Sequence, residues 1–98
     1  MNQPDVEHEL LVQLFVAGDS EQTSQVRDRV VQFAETMLKQ PNRVEVVDVF
    51  EHPDLADIAR VLVTPTLIIH RGKKQRRLVG DLSDTSKLQL VLTDSLPD

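Results

Sequence analysis

Leu10 to Val16 reads L-L-V-Q-L-F-V, an almost unbroken apolar run. Because it does not alternate strictly, it predicts a strand buried on both faces, as in a sheet covered by helices on each side. Ala17-Gly18-Asp19-Ser20 ends the run, with Gly18 able to turn and Asp19 or Ser20 able to cap a helix; Gln22 stands after Asp19 in capping-box spacing. A helix is therefore expected from about Ser20. Val26, Val30, Phe33, Ala34 and Met37 share one helical face, while Arg27, Asp28, Glu35 and Lys39 lie off it. Pro41 and Asn42 stop that helix, and V-E-V-V-D-V-F up to Phe50 follows Arg43 as a second valine-rich strand, expected to be buried like the first.

Glu51-His52-Pro53-Asp54 reads as a turn, after which Leu55, Ala56, Ile58, Ala59 and Leu62 outline a short helix with Pro53 tolerated in its first turn. That helix must end before Pro65, because the residue preceding a proline is pushed out of the helical region. Val63 to Ile69, V-T-P-T-L-I-I, then opens a strand that runs to His70. Lacking an N–H, Pro65 belongs at a strand start or beside an unpaired edge. A cis Thr64-Pro65 bond, accessible at about 0.5–1 kcal/mol over trans, would turn the chain sharply and leave backbone groups facing outward as a binding surface. A trans proline would merely start the strand; the order of elements favours cis. Arg71-Gly72-Lys73-Lys74 reads as a hairpin turn, and Gln75 to Val79 returns as an antiparallel edge strand. Gly80 to Asp84 breaks it, and Leu88, Val91, Leu92 and Ser95 mark one face of a final helix, with residues 1–8 and 96–98 expected to be flexible.

Two buried strands joined by a helix form a βαβ unit, in which parallel strands and a right-handed crossover are strongly favoured. The chain is therefore expected to be α/β, in the order β-α-β-α-β-β-α, with a four-stranded mixed sheet and helices on both faces.

Ninety-eight residues suit one domain with its own core. The absence of cysteine excludes disulfides, thiolate metal sites and thiol redox catalysis. Met1 to Glu9 is polar and acidic, unlike a signal peptide, and no apolar run approaches membrane-spanning length, so a soluble, cytoplasmic protein is expected. Sixteen acidic side chains against eleven basic ones, with three phenylalanines and no tyrosine or tryptophan, argue against nucleic-acid binding. His8, His52 and His70 are scattered, no Ser-His-Asp arrangement is legible, and neither a metal site nor a catalytic residue is expected. Asp48 reads as edge-facing or hydrogen-bonded, and Asp81, Ser83 and Asp84 as caps more than ligand contacts. Arg71, Lys73, Lys74, Arg76 and Arg77 make the one basic cluster, suited to an acidic partner surface or to shielding an edge strand.

With a proline opening the third strand, this order resembles the thioredoxin-like fold. The resemblance puts Pro65 where that fold has a cis-proline facing the active site, and Ala17 to Gln22 where redox members carry two cysteines. The segments L-F-V-A-G (Leu14 to Gly18), V-V-D-V (Val46 to Val49), H-P-D-L-A (His52 to Ala56), V-T-P-T-L (Val63 to Leu67) and L-V-G-D-L-S-D (Leu78 to Asp84) are similar, in order and spacing, to the KaiB family of circadian clock proteins. The family resemblance implies a noncatalytic, cofactor-free module that docks on the first ATPase ring of the clock ATPase KaiC. KaiA-type and histidine-kinase-type clock proteins are further candidate partners, and the sensory domain of the kinase SasA is a relative that shares the thioredoxin-like form. An alternative tetrameric ground-state fold, rearranged after the second strand, is also implied.

The resemblance places Arg60 where clock members carry a lysine implicated in partner contact; its other reading is an ordinary surface arginine. With Thr64, Pro65, Lys73, Lys74, Arg76 and Arg77 it makes the candidate binding set. Two departures from the family bear on the ground state. His70 to Arg77 holds a glycine turn where clock members have Pro-x-Pro, and Leu90 to Thr93 reads L-V-L-T where they have I-G-L-D. Placing Val91 where glycine would cost a helix about 1 kcal/mol favours the thioredoxin-like form, and two folds can differ by only a few kcal/mol. That form, mainly monomeric, is the expected resting state. The competing function is a glutathione-binding or transferase-like enzyme, since that branch of the fold also uses a Thr-Pro pair; it lacks here the second domain such transferases need.

Overall fold

The apolar side chains of the first strand alternate between two buried clusters, and this divides the protein into layers. The computed structural model describes residues 10–38 and 41–80 with Leu82 and Leu88. Its elements are β1 (Leu10–Val16), α1 (Glu21–Met37), β2 (Asn42–Asp48), α2 (Pro53–Ile58), β3 (Thr66–Arg71) and β4 (Lys74–Val79). The strands form one sheet in the order β2-β1-β3-β4, with β1 parallel to β2 and antiparallel to β3, and β3 antiparallel to β4. Leu10, Val12, Leu14 and Val16 pack with Leu67 and Ile69 of β3 and Val30 and Ala34 of α1, joined by Leu38, Leu82 and Leu88. On the other face Phe15, Val47 and Ile68 pack under Ala56 of α2. Helices thus cover both faces, as the expected α/β, thioredoxin-like arrangement requires. Leu88 is helical and fully buried. The expected caps Asp81, Ser83 and Asp84, the helix positions Val91, Leu92 and Ser95, and both chain ends lie outside the described residues.

Of the two candidate caps, Ser20 serves α1: its hydroxyl accepts the Thr23 N–H at 3.1 Å. Two expectations are corrected. The second strand is not buried like the first. It ends at Asp48 and forms an edge, where only Val47 is buried and Val46 is 39% exposed. Valine content reports strand propensity, whereas burial depends on which strand pairs outside it. Finally, α2 stops at Ile58, and Leu62, expected on its apolar face, is 93% exposed.

The hairpin forms where glycine predicts it. Arg71 pairs with Lys74 across Gly72 and Lys73, and Gly72 has φ 59 while no lysine of the turn has positive φ. A first central glycine of that sign matches a type II′ turn, whose twist suits the flanking strands.

Candidate protein-binding surface

The C-terminal end of α2 shows why the chain leaves the helix early. The Arg60 N–H reaches the Asp57 carbonyl at 3.1 Å and the Val61 N–H reaches the Ala56 carbonyl at 2.9 Å. These are the two bonds of a Schellman turn, and Val61 packs back on the cluster that holds Ala56, supplying the usual apolar contact. The left-handed position belongs to Arg60, φ 57, where glycine is the normal occupant. A side chain there costs on the order of 1 kcal/mol. Arg77 of β4 then closes the end: its Nη1 donates to the Arg60 carbonyl at 3.1 Å and its Nη2 to the Ala59 carbonyl at 2.6 Å. Arg77 is therefore a strut between the edge strand and α2, a role its place in a run of basic residues does not reveal.

The chain presents uncovered apolar side chains both before and after the turn. Ile58 is 78% exposed, Leu62 93% and Val63 52%. It then enters a cis Thr64-Pro65 bond, as the order of elements favours. Two contacts pin this corner: the buried Thr66 hydroxyl donates to the Val63 carbonyl at 2.6 Å, and the Gly80 N–H donates to the Pro65 carbonyl at 3.0 Å. Of the backbone groups expected to face outward, these two carbonyls are satisfied internally, while the Thr64 N–H and C=O make no hydrogen bond among the described residues. An open cavity of about 510 Å³ lies between this corner and the first turns of α1, lined by Ser20, Thr23, Arg29, Thr64, Pro65 and Gly80.

The candidate residues divide into two groups. Arg60 and Arg77 are in direct contact beside the Pro65 corner, to which the end of β4 is bonded. Lys73 and Lys74 sit at the hairpin, with Lys74 five strand residues from Val79, or about 17 Å along an extended chain. Alternation along β4 further divides them, with Lys74 and Arg76 on the face of α1 and Arg77 on the face of α2. The structure does not gather the basic run into one patch.

A second groove of about 360 Å³ lies beside α2, because a six-residue helix covers only one end of the sheet. Its floor carries a polar chain across three strands: His70 Nε2 is 2.7 Å from Gln13 Oε1, and Gln13 Nε2 donates to Glu45 Oε1 at 2.7 Å. Since an amide oxygen only accepts, His70 carries its proton on Nε2 in this arrangement. Partial burial, with Arg77 nearby, holds the His70 pKa below its ordinary value. At the other end of the sheet, Asp48 Oδ1 accepts the Gly18 N–H at 3.0 Å and the Phe50 N–H at 2.9 Å, and these two bonds hold its carboxyl below the usual carboxylate range. The same bonds turn the chain out of β2 and lay the Phe50 ring against Gly18, φ 82. Asp48 is thus a hydrogen-bonding corner piece. Among the described residues no cluster of three histidine or acidic side chains could hold a metal ion, and no helix is long and apolar enough to cross a membrane.

This frame, a cis-proline corner facing a helix start that lacks cysteine, can be set beside known proteins. Residues 13–94 match the KaiB domain. The chain belongs to the KaiB family. The circadian clock protein KaiB3 of Synechocystis sp. is 32% identical over 89 residues, covering 91% of this chain and 86% of the relative. A circadian clock oscillator protein KaiB of Prochlorococcus marinus is also 32% identical, over 90% of this chain and 85% of its own. Among solved structures, the N-terminal domain of SasA from Synechococcus elongatus superposes with a TM-score of 0.68 at 29% identity, covering 89% of this chain and 82% of that one. Fasciola hepatica thioredoxin superposes with a TM-score of 0.70 at 21% identity, over 92% and 85% of the two chains, and supports the fold alone. This KaiB-family chain therefore has the thioredoxin-like, mixed-sheet arrangement.

Proposed function

We propose that this KaiB-family chain is a noncatalytic protein-binding module that rests in the thioredoxin-like form and docks on a KaiC-type ATPase in circadian or related signalling. The observation that carries the proposal is the uncovered apolar segment Ile58, Leu62 and Val63 next to the exposed Arg60. Apolar side chains rimmed by charge, on backbone fixed by the Schellman turn and the Arg77 strut, form the kind of preorganised patch that marks a protein interface. Family membership and the likeness to the SasA domain support a clock-protein partner. Thr64, Pro65, Lys73, Lys74 and Arg76 extend the proposed surface. KaiA-type and histidine-kinase-type proteins are candidate co-partners.

The test is pull-down and calorimetry with a KaiC-type ATPase in its ATP-bound state. Leu62→Asp removes an apolar contact without touching the core and is expected to weaken binding at least tenfold while leaving stability within about 0.5 kcal/mol. Equal affinity of this variant and the unaltered chain would refute the surface.

The cavity beside Thr64 and Pro65, with its small-ligand volume of about 510 Å³, favours one competing proposal, glutathione binding. Amide shifts centred on Thr64 and Pro65 at millimolar glutathione would support it, and a silent titration would remove it.

A further inference from the structure

Among the described residues the sheet has two open edges, and they differ in what they can accept. Along β4, antiparallel pairing with a second copy sets cation against cation in the central registers, since Lys74, Arg76 and Arg77 crowd one short strand. Like charges directly opposite destabilise a strand pair, and cationic edges are a common defence against edge-to-edge association. The β2 edge has no such defence.

Its backbone polarity follows from the two ends of the β1–β2 ladder. Leu10 N–H donates to the Pro41 carbonyl at 3.0 Å and Val49 N–H donates to the Val16 carbonyl at 2.8 Å. Alternation then aims the backbone groups of residues 43, 45 and 47 at β1, and turns those of Val44 and Val46 to the open side. Side chains alternate as well. Val47 packs with Phe15 and Ala56 on the α2 face, so the exposed Arg43 and Glu45 share that face, while Val44 packs against the cluster beneath α1.

We propose that β2 is a self-association edge, on which a second copy of this chain pairs antiparallel about a two-fold axis at Val44, joining the two sheets. In that register Val44 meets its own copy as a hydrogen-bonded pair that exchanges two backbone bonds. Arg43 stands opposite Glu45 of the second copy, and Glu45 opposite its Arg43, in the closely spaced non-hydrogen-bonded positions where Cα atoms are about 4.5 Å apart. Neighbouring registers lose this match. Centring on Glu45 sets two carboxylates face to face, centring on Arg43 sets two guanidinium groups face to face, and centring on Val46 puts both charges opposite valines. Glu45 engages Gln13 through Oε1, which leaves Oε2 for the second copy. A single strand edge is a small interface, so the dimer is weak and depends on concentration. Because β2 lies across the sheet from β4, it leaves the α2 end and the Pro65 corner uncovered.

The experiment is sedimentation velocity of the full chain over a concentration series at low salt, with amide exchange at the highest concentration. The mass should rise from 11.1 kDa toward twice that value, and the Val44 and Val46 amides should gain protection as it does. Glu45→Arg sets like charges opposite twice and should weaken association about tenfold or more. The double exchange Arg43→Glu with Glu45→Arg restores both pairs and should return the dissociation constant to within about threefold of the unaltered chain. A chain that stays monomeric to millimolar concentration overturns the proposal, even if a strand of another protein pairs with β2. So does a double exchange that fails to restore association while circular dichroism shows the fold intact, or protection that appears at β4 in place of β2.

Discussion

Removing the Arg77 side chain tests whether the α2 end is held from β4. The helix has six residues, so most of its carbonyls need partners outside it, and the guanidinium supplies donors to two at its end, at 3.1 and 2.6 Å. Hydrogen bonds from charged donors contribute about 1.5–3 kcal/mol when sheltered. Arg77 is exposed, so water replaces much of each bond on its loss, and about 0.5–1 kcal/mol per bond is the appropriate scale. Arg77→Ala should therefore cost about 1–2 kcal/mol, with a melting shift of roughly 4–8 °C per kcal/mol for a domain of this size. Arg77→Lys, with one compact donor group in place of a fork, should retain about half of that. Urea unfolding measures the total, and amide exchange at Arg60 and Val61 localises it to the turn. Unchanged stability in Arg77→Ala together with unchanged exchange at those two amides would refute the strut.

Arg60→Gly relieves the left-handed backbone at φ 57 and should stabilise the chain by about 0.5 kcal/mol while weakening partner binding; a loss of stability in urea would contradict the strain argument. Because burial and then Arg77 lower the His70 pKa, the folded chain binds that proton less readily than the unfolded chain. The associated stability is complete above the ordinary histidine value of about 6.5 and is lost as pH falls through the depressed folded value. An NMR titration should place the His70 midpoint below the ordinary value, and Arg77→Ala should raise it; a midpoint at or above that value would refute the burial argument. Asp48 has the same sign: the Gly18 and Phe50 N–H groups stabilise its charged form, so its contribution holds above the ordinary carboxylate range and is lost as pH falls through the lowered value. Asp48→Asn keeps an acceptor at Oδ1 without the charge, and should flatten the acid limb of the stability profile; coincident acid-unfolding curves for the two proteins would rule this out.

Local patterns settled the elements whose cause is local. The apolar run of β1, the polar break before α1, the glycine of the hairpin and the proline that opens β3 each act through the residues around them, and each element stands within a few residues of where the pattern predicts it. The order of those elements also sufficed for the thioredoxin-like arrangement, and five sequence segments between Leu14 and Asp84 carried the resemblance to the KaiB family. Which strands face solvent was decided only by tertiary pairing. β3 takes the second side of β1, which leaves β2 at an edge with Val46 exposed and Val44 only partly buried despite a composition like that of a buried strand. The extent of α2 was settled from a distance too: Leu62 fits the helical spacing, but Val61 folds back on Ala56 and an arginine from β4 takes the last carbonyls. Sequence periodicity reports what one segment can bury, whereas the partner that covers a face or caps an end comes from residues far along the chain, and it was those partners that drew Arg77 to the end of α2 and left Leu62 exposed.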